Sequence, residues 1–246
     1  TTGSPISLLI QNRDWENWKE VMSVNAAAGK GEKVTRLRPG HADMAGTRKY
    51  GLDDVRPILE RASARETAAR VAVGAVARRF LEEFGIDIKS HTLAIGDERI
   101  DDIKIGKIDW AKVEKSPVRC ASAKTEKAMI AAIDSAKAGG DSVGGRFQVI
   151  ATGVPIGLGS HVQWDRRIDG KIAQAIMSIQ AVKSIEMGDI SSIEGLKGSL
   201  THDVIKYDKT KQLWSHATNH AGGVEGGITN GEPVTVTALV KPIPTL

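Results

Sequence analysis

An α+β fold, with antiparallel or mixed sheets packed on helices, is what this 246-residue sequence predicts. Three observations carry that reading. Strand and helix patterns intermix without the regular β-α-β beat of a parallel sheet. The segment "VTVTALV" (234–240) alternates Val234, Val236, Ala238 and Val240 with Thr235 and Thr237, the period of a half-buried strand. By contrast, Trp164, Ile168, Ile172, Ile176 and Ile179 are spaced by four, four, four and three, which is one face of a helix over 164–179.

The other elements follow in order. "SPISLLIQ" (4–11) is a short apolar run of strand character. The polar stretch after it, through "RLRPGHADMAGTRKYG" (36–51), mixes Pro, Gly, His and Asp and reads as loop. One long helix is expected over 52–85. Asp53 and Asp54 stand at its start, Leu59, Val71, Val76 and Phe80 recur along it, and Gly85 ends it. Its Ala- and Ser-rich middle would let a backbone or ligand approach closely. "IDIKSHTLAIGD" (86–97) alternates as a strand, and a helix over about 125–137 stops at "AGGDSVGG". "RFQVIATGVP" and "AVKSIEMG" are further strands, while 189–215 is a polar excursion or hairpin. "AGGDSVGG" and "NHAGGVEGGITNG" each precede a strand, a hint of duplicated halves.

Composition narrows the function classes. With 41% hydrophobic residues the chain can bury one substantial core or two small ones. Its net charge of +4 suits anionic small molecules and nucleic acid alike, but 4% aromatics leave little for base-stacking platforms, which argues against a nucleic-acid binder. A lone Cys120 excludes a disulfide framework and fits a reducing, cytoplasmic setting. No apolar run is long enough to span a membrane. The histidines beyond His41 show no metal-ligand spacing, so no metal site is expected.

Four segments could carry chemistry. His41 lies in "RPGHAD" between Arg38 and Asp43, where an imidazole could exchange a proton beside a guanidinium-held anion. On these six residues alone, a loop histidine beside a Pro-Gly turn is the plainer reading. "ERASARETAAR" sets Arg61 and Arg65 four apart on one helix face with Ser63 between them, either an anion clamp or a solvated face balanced by Glu60 and Glu66. "NHAGGVEGGITNG" offers bare backbone to a planar ring or phosphate, or is simply a run of tight turns. It is neither a P-loop nor a dinucleotide fingerprint. "KPIPT" (241–245) is stiffened by two prolines.

Taken together, "RPGHAD", "ERASARETAARVAVGAVA", "GDSVGG", "GVPIGLGS", "MSIQAVKSIEMG", "NHAGGVEGGITNG" and "KPIPT" resemble the chorismate synthase family, in that family's order and over essentially the whole chain. The resemblance implies a helix layer between antiparallel sheets with an internal pseudo-two-fold, assembled as a homotetramer. It implies a carbon–oxygen lyase of the shikimate pathway, which eliminates phosphate and a ring proton from 5-enolpyruvylshikimate 3-phosphate to give chorismate. Reduced FMN is required without net redox change, and NADPH is one candidate reductant. By the same resemblance His41 protonates or stabilises the reduced flavin, and Arg38 and Arg65 line the substrate's anionic groups. Arg61, Ala62, Ser63, Gln180, Ala181, Gly226, Lys241, Pro242, Ile243, Pro244 and Thr245 match cofactor-contacting positions.

The family's Ser-His-Gly histidine and its Arg- and Asp-containing C-terminal segment have no counterpart here. Residues 1–246 therefore read as a single domain incomplete at both ends and inactive alone. "RCAS", "KSIEMGDI" and "MAGTRKY" depart from the family's usual text without touching the matched residues. The rival reading is a flavin-binding module or flavin reductase without lyase activity.

Overall fold

The computed structural model describes residues 3–24, 32–62, 65–100, 105–189 and 193–244 (for Arg65, the backbone alone). They form two compact units, one up to Ala77 and one over Arg78–Pro244.

In the first unit, 4–11 joins no β-ladder, contrary to the strand expected there. Ile6 and Leu9 are exposed, and among the described residues no strand forms a ladder with this run. A single 3-10 turn follows at Trp15–Asn17, where the Asp14 carboxylate accepts from Asn17 Nδ2 at 2.8 Å and from Trp18 Nε1 at 2.7 Å. The expected loop over 36–51 is loop only as far as Ala42. Helix α1 (Asp43–Tyr50) begins there, with Asp43 in its first turn, Arg48 and Lys49 in its last, and left-handed Gly51 as its stop. Helix α2 (Arg56–Ala62) lies against α1 at a close approach: a Cβ on Gly46 would come within 2.8 Å of Ile58. Val55 is buried, and its N–H donates to Val34 O at 2.8 Å, strapping the preceding segment to the helix pair.

The single long helix expected over 52–85 is thus described as α2 and α3 (Arg65–Glu82) on either side of residues 63–64. Gly85 does end α3: it is left-handed, and Ile86 N–H donates back to Leu81 O. Val71 and Phe80, expected on a buried face, are about two-thirds exposed at 65% and 64%.

The second unit is built on one antiparallel sheet, which bears out the α+β expectation. Strands β1 (Asp87–Ile95), β2 (Glu98–Arg99), β3 (Gly145–Thr152), β4 (Val182–Met187) and β9 (Val234–Val240) align in the order β2-β1-β3-β9-β4. Register slips once on β1, between Thr92 and Ala94, and once on β4, between Val182 and Ser184. Because directly paired residues share a face, the two faces can be read from the register. One carries Ile88, Ala151, Val234, Val236, Ile185 and Met187, and is covered by Ile168, Ile172 and Ile176 of α6 (Ile168–Met177) and by Leu81.

The periodic stretch 164–179 is therefore helical only from Ile168. Trp164 belongs to a separate 3-10 turn and is 84% exposed. The opposite face is polar, with Lys89 and His91 on β1, Arg146, Gln148 and Thr152 on β3, Thr235 and Thr237 on β9, and Glu186 on β4. Ile150 interrupts it and is covered by Ile108 and by Val113 of α4 (Trp110–Lys115), whose first turn is capped by Asp109.

Helix α5 (Ala123–Ala138) starts at the Ser122 cap and packs beside β1 and β2. The stretch 189–215 holds a one-turn helix α7 (Gly198–Thr201) and strand β5 (Ile205–Asp208), which forms a hairpin with β6 (Leu213–His216). The glycine-dense segment forms the small hairpin of β7 (Val224–Glu225) and β8 (Ile228–Thr229). Among the described residues, no helix is long and apolar enough to cross a membrane.

Candidate functional site

In the first unit the chemistry gathers at a turn. Pro39 and left-handed Gly40 occupy the central positions of a tight turn closed by His41 N–H donating to Arg38 O at 3.2 Å. That geometry sets the Arg38 and His41 side chains side by side. Asp43, fully buried at the start of α1, holds both. Its Oδ2 accepts from Arg38 N at 3.0 Å and Arg38 Nε at 3.1 Å, and its Oδ1 accepts from His41 Nδ1.

A proton donated from Nδ1 fixes the imidazole tautomer and makes Nε2 the accepting nitrogen of the ring. One Arg38 terminal nitrogen lies 3.2 Å from Nδ1 and 3.1 Å from Nε2. Burial by itself would raise the Asp43 pKa, but hydrogen bonds from the Arg38 side chain, the Arg38 backbone and His41 outweigh it and hold the carboxyl below its ordinary value. The arrangement is an oriented imidazole beside a guanidinium, suited to moving a proton next to an anion.

Of the other residues matched in this unit, Arg61 is exposed in the last turn of α2 and Ala62 is half-buried beside it. Ser63 and the Arg65 side chain lie outside the described residues, as does Thr245 at the other end of the chain.

In the second unit the polar sheet face is the floor of a cavity of about 1300 Å³. One row crosses four strands: His91 opposite Gln148, Gln148 opposite Thr237, and Thr237 opposite Glu186. His91 Nε2 meets Gln148 Oε1 at 3.1 Å, and Gln148 Nε2 donates to Thr237 Oγ1 at 3.5 Å. Burial lowers the His91 pKa, with Arg119 adding to the effect against the Gln148 hydrogen bond. Its Nδ1 is buried without a hydrogen-bond partner.

Arg99, Arg146 and Lys241 line one end of the cavity, where Arg99 and Arg146 both pair with Ala94. The other end is walled by Asp189, His216, His220 and Glu232. The His216 side chain is nearly buried, with Nε2 3.2 Å from Glu225 Oε2, and His220 Nδ1 lies 3.9 Å from Asp189 Oδ2.

Several matched residues of this unit meet. Lys241 N–H donates to Ala181 O at 2.9 Å, and Ala181 itself is left-handed at φ 66°, a conformation that costs a non-glycine residue. Gln180 precedes it, half-buried. Lys241 and Pro242 line the cavity, and Ile243 O accepts from Ser142 Oγ at 3.0 Å beside half-buried Pro244. Gly226 stands apart from the lining, at the β7–β8 turn, with nothing within 4 Å of where a Cβ would project. Sequence reasoning missed His91, Asp189, Asp203, His216 and His220 as parts of this neighbourhood. A histidine at an inward position of an alternating strand was a usable signal for His91 alone.

The profile of one protein family, described as Chorismate synthase, matches residues 1–246. A chorismate synthase of Moorella thermoacetica is 52% identical over 249 residues, covering 100% of this chain and 64% of the relative. One from Brevibacillus brevis is 51% identical over 251 residues, with coverages of 100% and 64%. The chain thus spans 64% of the length of each of these relatives, a little under two-thirds. A crystal structure of a chorismate synthase superposes with a TM-score of 0.76 at 47% identity, covering 82% of this chain and 63% of the other.

Proposed function

We propose, from the premise that this chain belongs to the chorismate synthase family, that the protein it represents converts 5-enolpyruvylshikimate 3-phosphate to chorismate with reduced FMN. The observation carrying this is the Arg38–His41–Asp43 cluster, an oriented imidazole and a guanidinium held by one buried carboxylate. Elimination of phosphate from a multiply anionic substrate needs fixed cations where charge develops and a placed group to manage a proton.

The residues fit a flavin mononucleotide in two respects. Arg99, Arg146 and Lys241 at one end of the cavity are cations suited to a phosphate, and Leu93, Leu239 and Pro242 add apolar surface suited to a ring. Ala181, Lys241 and Pro242 would share in holding it in the second unit, with Gln180, Gly226, Ile243, Pro244 and Thr245 carried over by resemblance. When bound, the reduced flavin supplies electron density that assists phosphate departure and takes up hydrogen from the ring.

This chain's own contributions are positional. Asp43 fixes the His41 tautomer, His41 manages a proton with its Nε2 beside the Arg38 guanidinium, and Arg38, with Arg65 by resemblance, offers charge to the substrate's anionic groups. Arg61, Ala62 and Ser63 carry the remaining cofactor contacts by resemblance. A homotetramer in the cytoplasm, with NADPH as reductant, completes the proposal.

The test is anaerobic incubation of the full-length protein with substrate and dithionite-reduced FMN, following chorismate by absorbance. Chorismate formation supports the reading. Flavin binding without chorismate would favour a flavin-binding module or reductase instead.

A further inference from the structure

Asp203 stands just before β5 in a stretch whose sequence carries little pattern, yet it is 8% exposed. Its carboxylate reaches forward to the turn that leads into the glycine-dense hairpin. Oδ1 accepts from Thr218 Oγ1 at 2.5 Å and from His220 N–H at 2.9 Å, and Oδ2 accepts from Ala221 N–H at 2.9 Å. Burial would raise its pKa, but these hydrogen bonds and nearby His220 outweigh burial and keep the group ionised.

The turn is pinned from its other side as well. His220 O accepts from Asp189 N–H at 3.0 Å, and Asn219 bonds Pro233 O at 2.9 Å and Gly223 N–H at 2.8 Å. Thr218, Asn219, His220 and Asp189 all line the cavity, whereas Asp203 does not.

We propose that Asp203 is a positioning residue for the ligand of this cavity: its carboxylate holds 218–221 as a fixed wall, without itself touching what binds. An aspartate suits the task because it offers two acceptor oxygens and no donor to three converging donors. Asparagine would turn an N–H group towards at least one of them, leaving a buried donor unpaired. The identity of the ligand rests on the flavin reading above, but the role of Asp203 in the wall does not.

The experiment compares wild type with Asp203→Asn in the full-length protein. Amide hydrogen exchange is followed over 218–222 and over β9, and the affinity for dithionite-reduced FMN is measured in parallel. The expected result is exchange at 218–222 faster by roughly tenfold or more, β9 unchanged, and flavin affinity weaker by roughly tenfold. Unchanged exchange at 218–222 overturns the proposal. So does an equal rise through β9, which would make Asp203 a general fold residue.

Should Asp203→Asn not fold, Thr218→Val removes one donor and Thr218→Ser restores it, and the same local loosening and rescue are required. A loosened wall with undiminished flavin affinity refutes the ligand-positioning role. Chorismate formation by wild type decides the proposed function separately.

Discussion

Replacing Asp43 with asparagine isolates the carboxylate on which the first unit's cluster depends. In the wild type this group receives three hydrogen bonds from Arg38, the longest at 3.5 Å, and one from His41, with no exposed side-chain surface. Bonds to charged partners contribute about 1.5–3 kcal/mol each. Asparagine keeps one acceptor oxygen, and Arg38, with 32% of its side chain exposed, regains water, which discounts the loss. A net local destabilisation of roughly 2–3 kcal/mol remains, equivalent to roughly 30- to 150-fold faster amide exchange over residues 36–50.

The pH dependence has a definite sign. Because Asp43 titrates lower when folded, the unfolded chain takes up its proton first, near its ordinary value of 3.8. The wild-type advantage is therefore whole well above that value and shrinks as pH falls through the folded pKa. Hydrogen exchange with mass-spectrometric readout at a series of pH values is the assay. Equal protection at neutral pH, or an advantage that grows on acidification, would refute the reasoning.

Three further outcomes are expected. His41→Ala in the full-length protein should lower chorismate formation by roughly 10²–10⁴, the loss typical of one positioned proton-transfer group, and wild-type turnover would remove His41 from the mechanism. Gly188→Ala should be far more damaging than Gly226→Ala in thermal denaturation. Both residues are left-handed, but a Cβ at 188 would meet His220 O at 2.1 Å, whereas at 226 nothing lies within 4 Å and only about 1–2 kcal/mol of backbone strain applies. Ile150→Ala, at a site 1% exposed beneath α4, should cost about 2–5 kcal/mol in urea unfolding, and a change below 1 kcal/mol would show that α4 does not seal that end of the sheet.

The main sheet was legible because its strands alternate. β1, β3, β4 and β9 each carry one apolar face, and α5 announces its end with a glycine stop, whereas its Ser122 cap and start at Ala123 lie two residues before the expected 125. Residues 4–11 have strand chemistry too, but among the described residues no ladder includes them. Helix α1 was hidden because its N-cap position is Ala42, whose methyl side chain gives no start signal, while Asp43 in the first turn holds Arg38 and His41. Trp164 fits the α6 period by spacing alone, since Arg167 is extended and the helix starts after it.

The adjacency of Arg38 and His41 could be read from the Pro-Gly turn between them. The grip of Asp203 could not, because it acts on backbone N–H groups 17 and 18 positions away, and backbone donors leave no trace in residue identity.

The slipped register on β4 has a consequence for solution behaviour. Among the described residues this strand is the last in its sheet, an edge onto which a stray chain could zip and seed fibrils. The slip between Val182 and Ser184 leaves Lys183 out of step and twists the ledge, while the far border ends in a strand only two residues long. Growth by accretion is discouraged at both margins, so the sheet can carry a polar, ligand-accessible face without becoming a template for its own copies.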